Sequence, residues 1–546
     1  MRIHVSILLA ASLFGAPAGA AEPVRVAKWT RFEASFTSAR DYENPLAVEL
    51  RAVFRAPSGA ERTVPGFWDG GRTWRVRFMP NEPGEWRYST AFAEPEDSGL
   101  HGRSGSLTCG PPRFGTVFER YGPVRLSANR RHLAHEDGTA FFWFGDTPWN
   151  GPLWSTDEDW DHYIKTRVRQ GFTAAQWVAT QWRGAPKGDA EGRLPYTGRE
   201  KIKVNPEFFQ RLDRKHDALL RAGLLSVPVM LWAIPTGQNV EFNPGVTLPE
   251  DQAILLARYM LARWGADPVI WFLNGDGEYR GAAAERWKKI GRGVFGGAPH
   301  APVSLHPGGL KAPFDEFRDE AWLDLAAYQS SHNDSDANSR WITGGPPAQE
   351  WRKSPVRPVV SVEGPYEQPA GDGKVAWDYV VRRNHIWSLM NAPPAGFVYG
   401  AHGIWGWSDG VNPAPGHGSR VWPHWKKLLE LPGPMQLKRV REFFEAMGHP
   451  RLTPMPEVVA VQPGAEAPAR FVSAAQNEDR SLTIVYTPVD RDVTLRPGRL
   501  PANINAVWHE PDTGREMLAV SKPDPSGLVF RTPEEGDWFL VMFAAP

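Results

Sequence analysis

The chain has 546 residues, and its 62 Lys and Arg offset 62 Asp and Glu to a formal net charge of zero. That balance excludes the basic excess of a nucleic-acid or anionic-membrane binder, and 53 Gly, 51 Pro and a 41% hydrophobic fraction exclude low-complexity and collagen-like chains. At roughly 100–200 residues per domain the length predicts about three domains, while 25 Trp against 12 Tyr mark either large aromatic cores or flat stacking platforms for sugar rings.

Residues 1–20 read as a signal peptide. Arg2 and His4 precede a short apolar run from Val5 to Phe14, and Ala18-Gly19-Ala20 is a small-residue cleavage site. The mature chain would start at Ala21 and be periplasmic or extracellular. No later stretch approaches the ~18 apolar residues of a membrane span. Cys109 is the single cysteine, so no intramolecular disulfide is available and stability must come from cores.

Residues 21–110 show period two. Trp74, Val76 and Phe78 alternate with Arg75 and Arg77, Trp86 and Tyr88 flank Arg87, and Leu46, Val48 and Leu50 repeat the pattern. Turn signals such as Pro57-Ser58-Gly59 and Asn81-Glu82-Pro83-Gly84 separate them, which predicts an Ig-like β-sandwich. No nucleophile-and-base cluster lies there.

Residues 111–450 alternate apolar strands with amphipathic helices. The predicted strands are Phe141–Asp146, Phe172–Thr180, Leu224–Trp232, Val269–Leu273, Ala301–Leu305, Leu323–Gln329, Pro358–Val362 and Gly396–Tyr399. Between them, a helix over 155–170 has Ser155 and Glu158 as a capping box, with Trp160, Tyr163, Ile164 and Val168 on one face. A second opens at Asn205-Pro206 and stops before Gly223, and a third opens at Thr247 and Glu250 and closes near Gly265. Eight such units predict a (β/α)8 TIM barrel; an open doubly wound sheet is the competitor. No G-x-G-x-x-G or Walker-type loop opens a helix.

Residues 451–546 return to period two, in Ser481–Tyr486 and Trp538–Phe543 with a turn at Pro511-Asp512-Thr513-Gly514, and predict a second β-sandwich. The fold class is therefore multidomain α/β plus all-β, a central barrel flanked by two β-sandwich domains.

Barrel chemistry sits where strands end. Strand one ends in Asp146-Thr147-Pro148-Trp149, strand four in Asn274-Gly275-Asp276-Gly277-Glu278 and strand five in His306-Pro307. Strand six ends in Gln329-Ser330-Ser331-His332, strand seven in Glu363-Gly364-Pro365-Tyr366-Glu367, and strand eight reaches His402 with Trp405 and Trp407 beyond. Singly, Asp146 reads as a helix cap, His306 as a structural histidine and the Trp residues as packing. Together they place carboxylates from strands four and seven across one mouth, the pair that glycoside hydrolysis needs. Gly275, Gly277 and Gly364 beside them leave room for a sugar against the backbone. His306, His332 and Asp276 have no metal-ligand spacing, and neither H-E-x-x-H nor G-x-S-x-G occurs. No metal or cofactor is expected, and activity should survive chelation.

The segments FFWFGDTPW, VIWFLNGDGE, HPGG, WLDLAAYQSSH, PVVSVEGPYE and GFVYGAHGIWGW resemble the apiosidase-like glycoside hydrolases, family 140. Where that family ends strand four in a Gly-Gly-Asp type motif, this chain has Asn274-Gly275-Asp276. Where its seventh strand carries Glu-Pro-x-Tyr-Glu, Glu363-Gly364-Pro365-Tyr366-Glu367 stands here. The flanking segments resemble the β-sandwich that precedes such barrels and a following β-domain of a type labelled collagen-binding. The resemblance implies a secreted enzyme acting on the apiose-linked side chains of pectic rhamnogalacturonan II. It also implies Asp276 as acid and Glu363 as nucleophile or base, with the two roles open to exchange and Glu278 and Glu367 as runners-up. Substrate contacts are expected from Asp146, Trp149, His306, Gln329, His332, Glu367 and Trp405. The partner is an oligo- or polysaccharide; a non-catalytic glycan binder and a glycosidase for another sugar, such as a galactoside or arabinoside, are the rival readings. The oligomeric state is not legible.

Overall fold

The computed structural model describes residues 24–544 except 298, 369–376, 393–394, 490 and 502. The expected signal peptide lies outside the described residues.

Eight parallel strands form the centre: β1 (Trp143–Asp146), β2 (Ala174–Val178), β3 (Leu225–Trp232), β4 (Trp271–Gly277), β5 (Val303–Pro307), β6 (Ala326–Gln329), β7 (Val359–Glu363) and β8 (Gly396–Tyr399). Their order in the sheet is 5-4-3-2-1-8-7-6, a parallel near-barrel whose two end strands follow each other in the chain. The backbone N–H groups of Asp324 and Leu325, just before β6, donate to the Val303 carbonyl in β5 at 2.9 and 3.2 Å and bring those ends together. All five residues of β2 and all eight of β3 are buried, as parallel strands covered on both faces must be. The β5-to-β6 connection contains no helix.

The helices on the outside follow their local chemistry. Helix α1 (Asp157–Arg169) is capped by Thr156, whose hydroxyl accepts from Asp159 N, one residue later than the Ser155 cap read from the sequence. Val168 is exposed, and the buried stripe continues instead from Trp160, Tyr163 and Ile164 to Arg167. An arginine holds an apolar position because it has a buried carboxylate to meet. Helix α2 (Pro206–Arg221) starts on the Asn205 side-chain cap with Pro206 in the first turn, as read, and Gly223 follows it at φ 79°. Helix α3 (Glu250–Trp264) is preceded by Pro249, not by Thr247, whose hydroxyl is spent on the Asn243 carbonyl in a separate short turn.

The N-terminal strands form one seven-stranded sheet around Phe32, Phe54, Trp74, Val76, Phe78 and Trp86. Strand Glu61–Trp68 pairs with Leu50–Arg55 through its first half and with Thr73–Phe78 through its second. Phe54 stacks on Phe78 at 4.0 Å, so the two halves of the sheet face each other. The regular strand begins at Leu50; Leu46 lies in a 3-10 turn. This sheet is tied to the barrel helices by a buried ionic lattice: Asp213 meets Arg77 and Arg263 at 2.8 Å each, and Arg263 also meets Asp69 at 2.8 Å.

The C-terminal strands form a six-stranded and a three-stranded sheet. One face of the larger sheet carries Val485, Trp508, Trp538 and Leu540 into a local core, and the other presents Ile484, Tyr486, Phe539 and Val541 to the barrel. Phe539 stacks on Phe443 of the last barrel helix at 4.4 Å. Among the described residues no helix is long and apolar enough to cross a membrane.

Candidate active site

Both carboxylate-bearing strands lose register just where the carboxylate stands. Against β5, strand β4 carries an extra residue between Phe272 and Gly275 and another between Gly275 and Gly277. Against β6, strand β7 carries one between its partners of Tyr328 and Gln329. Such bulges re-aim side chains at strand ends. Asp276 itself sits at φ 50°, a left-handed conformation uncommon for a non-glycine residue.

The result is a compact centre. His306, fully buried on β5, has Nδ1 3.7 Å from Asp276 Oδ1 and Nε2 3.2 Å from Glu363 Oε2. Asp276, His306 and Glu363 each present an atom within 4.8 Å of the others. His332 Nε2 lies 3.4 Å from Glu363 Oε1, with its Nδ1 3.0 Å from the Gly364 carbonyl. Gln329 Nε2 donates to Glu363 Oε2. The Trp149 ring stands edge-on to His306 at 5.2 Å, and its Nε1 donates to Tyr366 OH at 2.8 Å.

The electrostatics separate the two carboxylates. Burial would push the Glu363 carboxyl up, yet the close contact with His306, the charges of His332 and His306 and the Tyr366 hydroxyl outweigh it and hold the group down at about 2. Burial would likewise lower His306, but its contacts with Asp276 and Glu363 raise it to about 9. These contacts favour an ionised Glu363 and a protonated His306 beside it. The Asp276 side chain is 19% exposed against 5% for Glu363, and its Oδ1 has no hydrogen-bond partner.

The Asp276–His306–Glu363 set is the one group of potential metal ligands among the described residues. It combines one imidazole with two carboxylates, donors that suit a divalent ion. The two carboxylates raise the proton affinity of the imidazole between them, so a metal ion at this set would compete with that proton.

The structure brings Asp276, Glu363, His306, Gln329 and His332 together, with Trp149 directly behind them. Two of the expected substrate contacts are corrected. Asp146 is fully buried, its Oδ2 accepting from Tyr163 OH at 2.7 Å and Arg167 Nε at 2.6 Å and its Oδ1 from Thr147 N at 2.9 Å. It anchors α1 to β1 and has no face for a sugar. Glu367 is 1% exposed and accepts from Tyr399 OH at 2.7 Å and Gly433 N at 3.2 Å; burial pushes its carboxyl up to about 7 despite those donors. Trp405 is buried in the wall of the mouth, 4.3 Å from His417 and 6.3 Å from Trp182. Glu278 points outward to Lys311 at 3.0 Å. The glycines make room for the protein's own rings rather than for substrate. A Cβ on Gly275 would lie 2.4 Å from Trp232, on Gly277 2.7 Å from Tyr279 and on Gly364 2.6 Å from His385.

Several neighbours of the centre were not singled out from the sequence. Tyr366 packs on His332 at 4.2 Å, and His402 lies between Tyr366 at 5.3 Å and a Trp422 ring stacked on it at 4.2 Å. Trp232, at the end of β3, packs against Trp182 at 4.4 Å and His306 at 6.2 Å. The residues that end β2 and β3 were the signal, because they occupy the same rim as the strand ends that were read.

Residues 127–449 match the family described as apiosidase-like, catalytic domain, and residues 25–93 match a family described as a domain of unknown function, DUF5060. A comparison with curated proteins gave no match. Among solved structures, one titled glycoside hydrolase is 21% identical, with a TM-score of 0.65 over 79% of this chain and 98% of its own. A glycoside hydrolase family 5 protein from Bacteroides vulgatus is 20% identical, with a TM-score of 0.65 over 79% and 94%. A further Bacteroides vulgatus protein, provisionally assigned as a glycoside hydrolase, is 18% identical, with a TM-score of 0.69 over 96% and 100%. At these identities the solved structures speak for the fold, whereas the family match spans more than half of the chain. The chain belongs to the apiosidase-like family and is a glycoside hydrolase.

Proposed function

We propose that the protein is an exported hydrolase of plant cell-wall pectin, with apiose-containing rhamnogalacturonan II as its substrate class, and that it works by two carboxylates, Glu363 as nucleophile and Asp276 as acid and base. The observation that carries the chemistry is the placement of Asp276 and Glu363 on either side of His306 with oxygens within 4.8 Å. Retaining glycosidases hold their carboxyl groups about 5–5.5 Å apart, while inverting ones need about 6.5–9.5 Å to admit a water between them. The close pair supports retention.

In the first step a Glu363 oxygen forms a bond to the anomeric carbon while the bond to the leaving oxygen breaks and Asp276 delivers its proton to that oxygen. In the second, Asp276 takes a proton from water, whose oxygen displaces Glu363. Glu363 must be ionised to attack, and its donors from His306, Gln329, His332 and Tyr366 hold it so. Asp276, the more accessible of the two, can exchange its proton with substrate and water. The pectic substrate and export rest on the family resemblance and the leader-like N-terminus.

The test is a panel of aryl glycosides and pectic oligosaccharides, with the anomeric configuration of the first product followed by NMR. Release of apiose-linked fragments with retention is expected. Sugar affinity without any product would indicate a binding protein, turnover of only galactosides or arabinosides would move the substrate, and inversion would remove the nucleophile role of Glu363.

A further inference from the structure

Arg183 follows β2 on the rim of the mouth. It is half-buried, yet its side chain makes no hydrogen bond and no ion pair among the described residues, and its Nε is shut off from solvent without a partner. Every other described arginine that is buried or half-buried spends its guanidinium on a carboxylate or a backbone carbonyl. Arg167 meets Asp146, Arg263 meets Asp69 and Asp213, and Arg211 donates to the carbonyls of Pro152 and Ser155. A cation drawn partly out of water without a partner is costly.

Its backbone is pinned so that the guanidinium stays on the rim. The Arg183 N–H donates to Asn243 Oδ1 at 2.8 Å, and its carbonyl accepts from Asn239 Nδ2 at 3.3 Å, both from the loop after β3. A Cβ on Gly237 of that loop would lie 2.9 Å from Nη1, and one on Gly416, in the loop after β8, would lie 2.8 Å from the Arg183 carbonyl oxygen. The neighbouring Trp182 packs on Trp232, which fills the space beside Gly275, and on His417. Arg183 therefore stands between three strand-end loops on the Asp276 side of the centre, and Asp276 is the charge that acts on it. A planar guanidinium there matches a carboxylate in two parallel hydrogen bonds.

We infer that Arg183 is a specificity-determining residue that binds a carboxylate on the sugar substrate, so that the site selects an anionic, uronate-bearing glycan; this rests on the two-carboxylate reading of the site. The test uses the full chain on a pair of pectic oligosaccharides that differ only in whether the uronate carboxyl is intact or reduced to the alcohol. The wild type should favour the intact form in kcat/KM by at least ~10-fold, the scale of a hydrogen bond to a charged group. Arg183→Ala should abolish that preference through KM, and Arg183→Lys should restore part of it. Equal losses on both substrates, a shifted pH profile on both, or no preference in the wild type would overturn the inference, the second by assigning Arg183 to Asp276 alone. A parallel titration of D-galacturonate and D-galactose into Glu363→Gln reads recognition without turnover. Preferential galacturonate binding that is lost in Glu363→Gln/Arg183→Ala, combined with no hydrolysis by the wild type, would remove the two-carboxylate reading and keep Arg183. Equal binding of the two sugars would remove Arg183 while hydrolysis stands.

Discussion

Asp146 and Glu363 make an instructive pair. Each ends a strand of the same sheet, each is nearly inaccessible, and each accepts several hydrogen bonds. Asp146 is closed by a permanently charged guanidinium and a tyrosine whose hydroxyl burial drives well above its usual range. Glu363 is held by two histidines and an amide, and an acid stands across from it. A carboxylate locked to arginine serves architecture, because that partner can neither give up its proton nor make way for substrate. One held by titratable or neutral donors, with a second carboxylate within reach, can do chemistry.

The sharpest way to break this contrast is to remove each charge in turn. Glu363→Gln and Asp276→Asn should each lower turnover by at least ~10²-fold, and up to ~10⁴-fold, with the circular dichroism spectrum retained. Near-normal rates in Asp276→Asn together with a collapse in Glu278→Gln would move the acid to Glu278. Asp146→Asn should act in the opposite currency. It leaves Arg167 buried without a counter-charge, so chemical denaturation should show a loss of about 3–5 kcal/mol, while the fraction that stays folded keeps its kcat.

Glu367 sharpens the comparison through pH. Its carboxyl is raised to about 7 in the folded protein by burial, against an unfolded value of about 4.3. Between those values the folded state holds the extra proton, so its contribution to stability falls as pH rises from about 4.5 to 7. Melting temperatures of Glu367→Gln across that window should decline less steeply than those of the wild type, and parallel curves would show that Glu367 is ionised throughout. Chelation comes next. No divalent ion has a step in the two-carboxylate mechanism, so EDTA should leave kcat within about 2-fold, and complete loss restored by one divalent ion would move the centre to a metal-assisted mechanism. Smallest of all, Glu278→Gln should cost less than about 1 kcal/mol, as expected for an exposed pair with Lys311, and should leave turnover within about 2-fold in the same assay.

Much of this architecture was written in local chemistry. The eight apolar runs, the Asn205-Pro206 helix start and the polar residues that terminate each run are all encoded over a few residues, and alternation of such units dictates a parallel sheet with its chemistry on one rim. Asp276, His306, Gln329, His332 and Glu363 could be gathered on that rim from the sequence because four of them stand in the last residues of apolar strands and His332 follows in the loop after one. Spacing along the chain could not separate them from Asp146, which ends its strand, or from Glu367, in the loop after Glu363. That distinction depended on Arg167, 21 residues beyond Asp146, and on Tyr399 and Gly433, 32 and 66 residues beyond Glu367. The bulges that aim Asp276 and Glu363 at each other arise from pairing with neighbouring strands, and the rings that fill the space above Gly275 and Gly364 come from Trp232 and His385. The sequence by itself determined which residues stand at strand ends, because periodicity and turn chemistry are local. Which of those residues meet one another around His306 and which meet a buried arginine was decided by tertiary structure, because burial and charge pairing depend on neighbours brought from elsewhere in the chain.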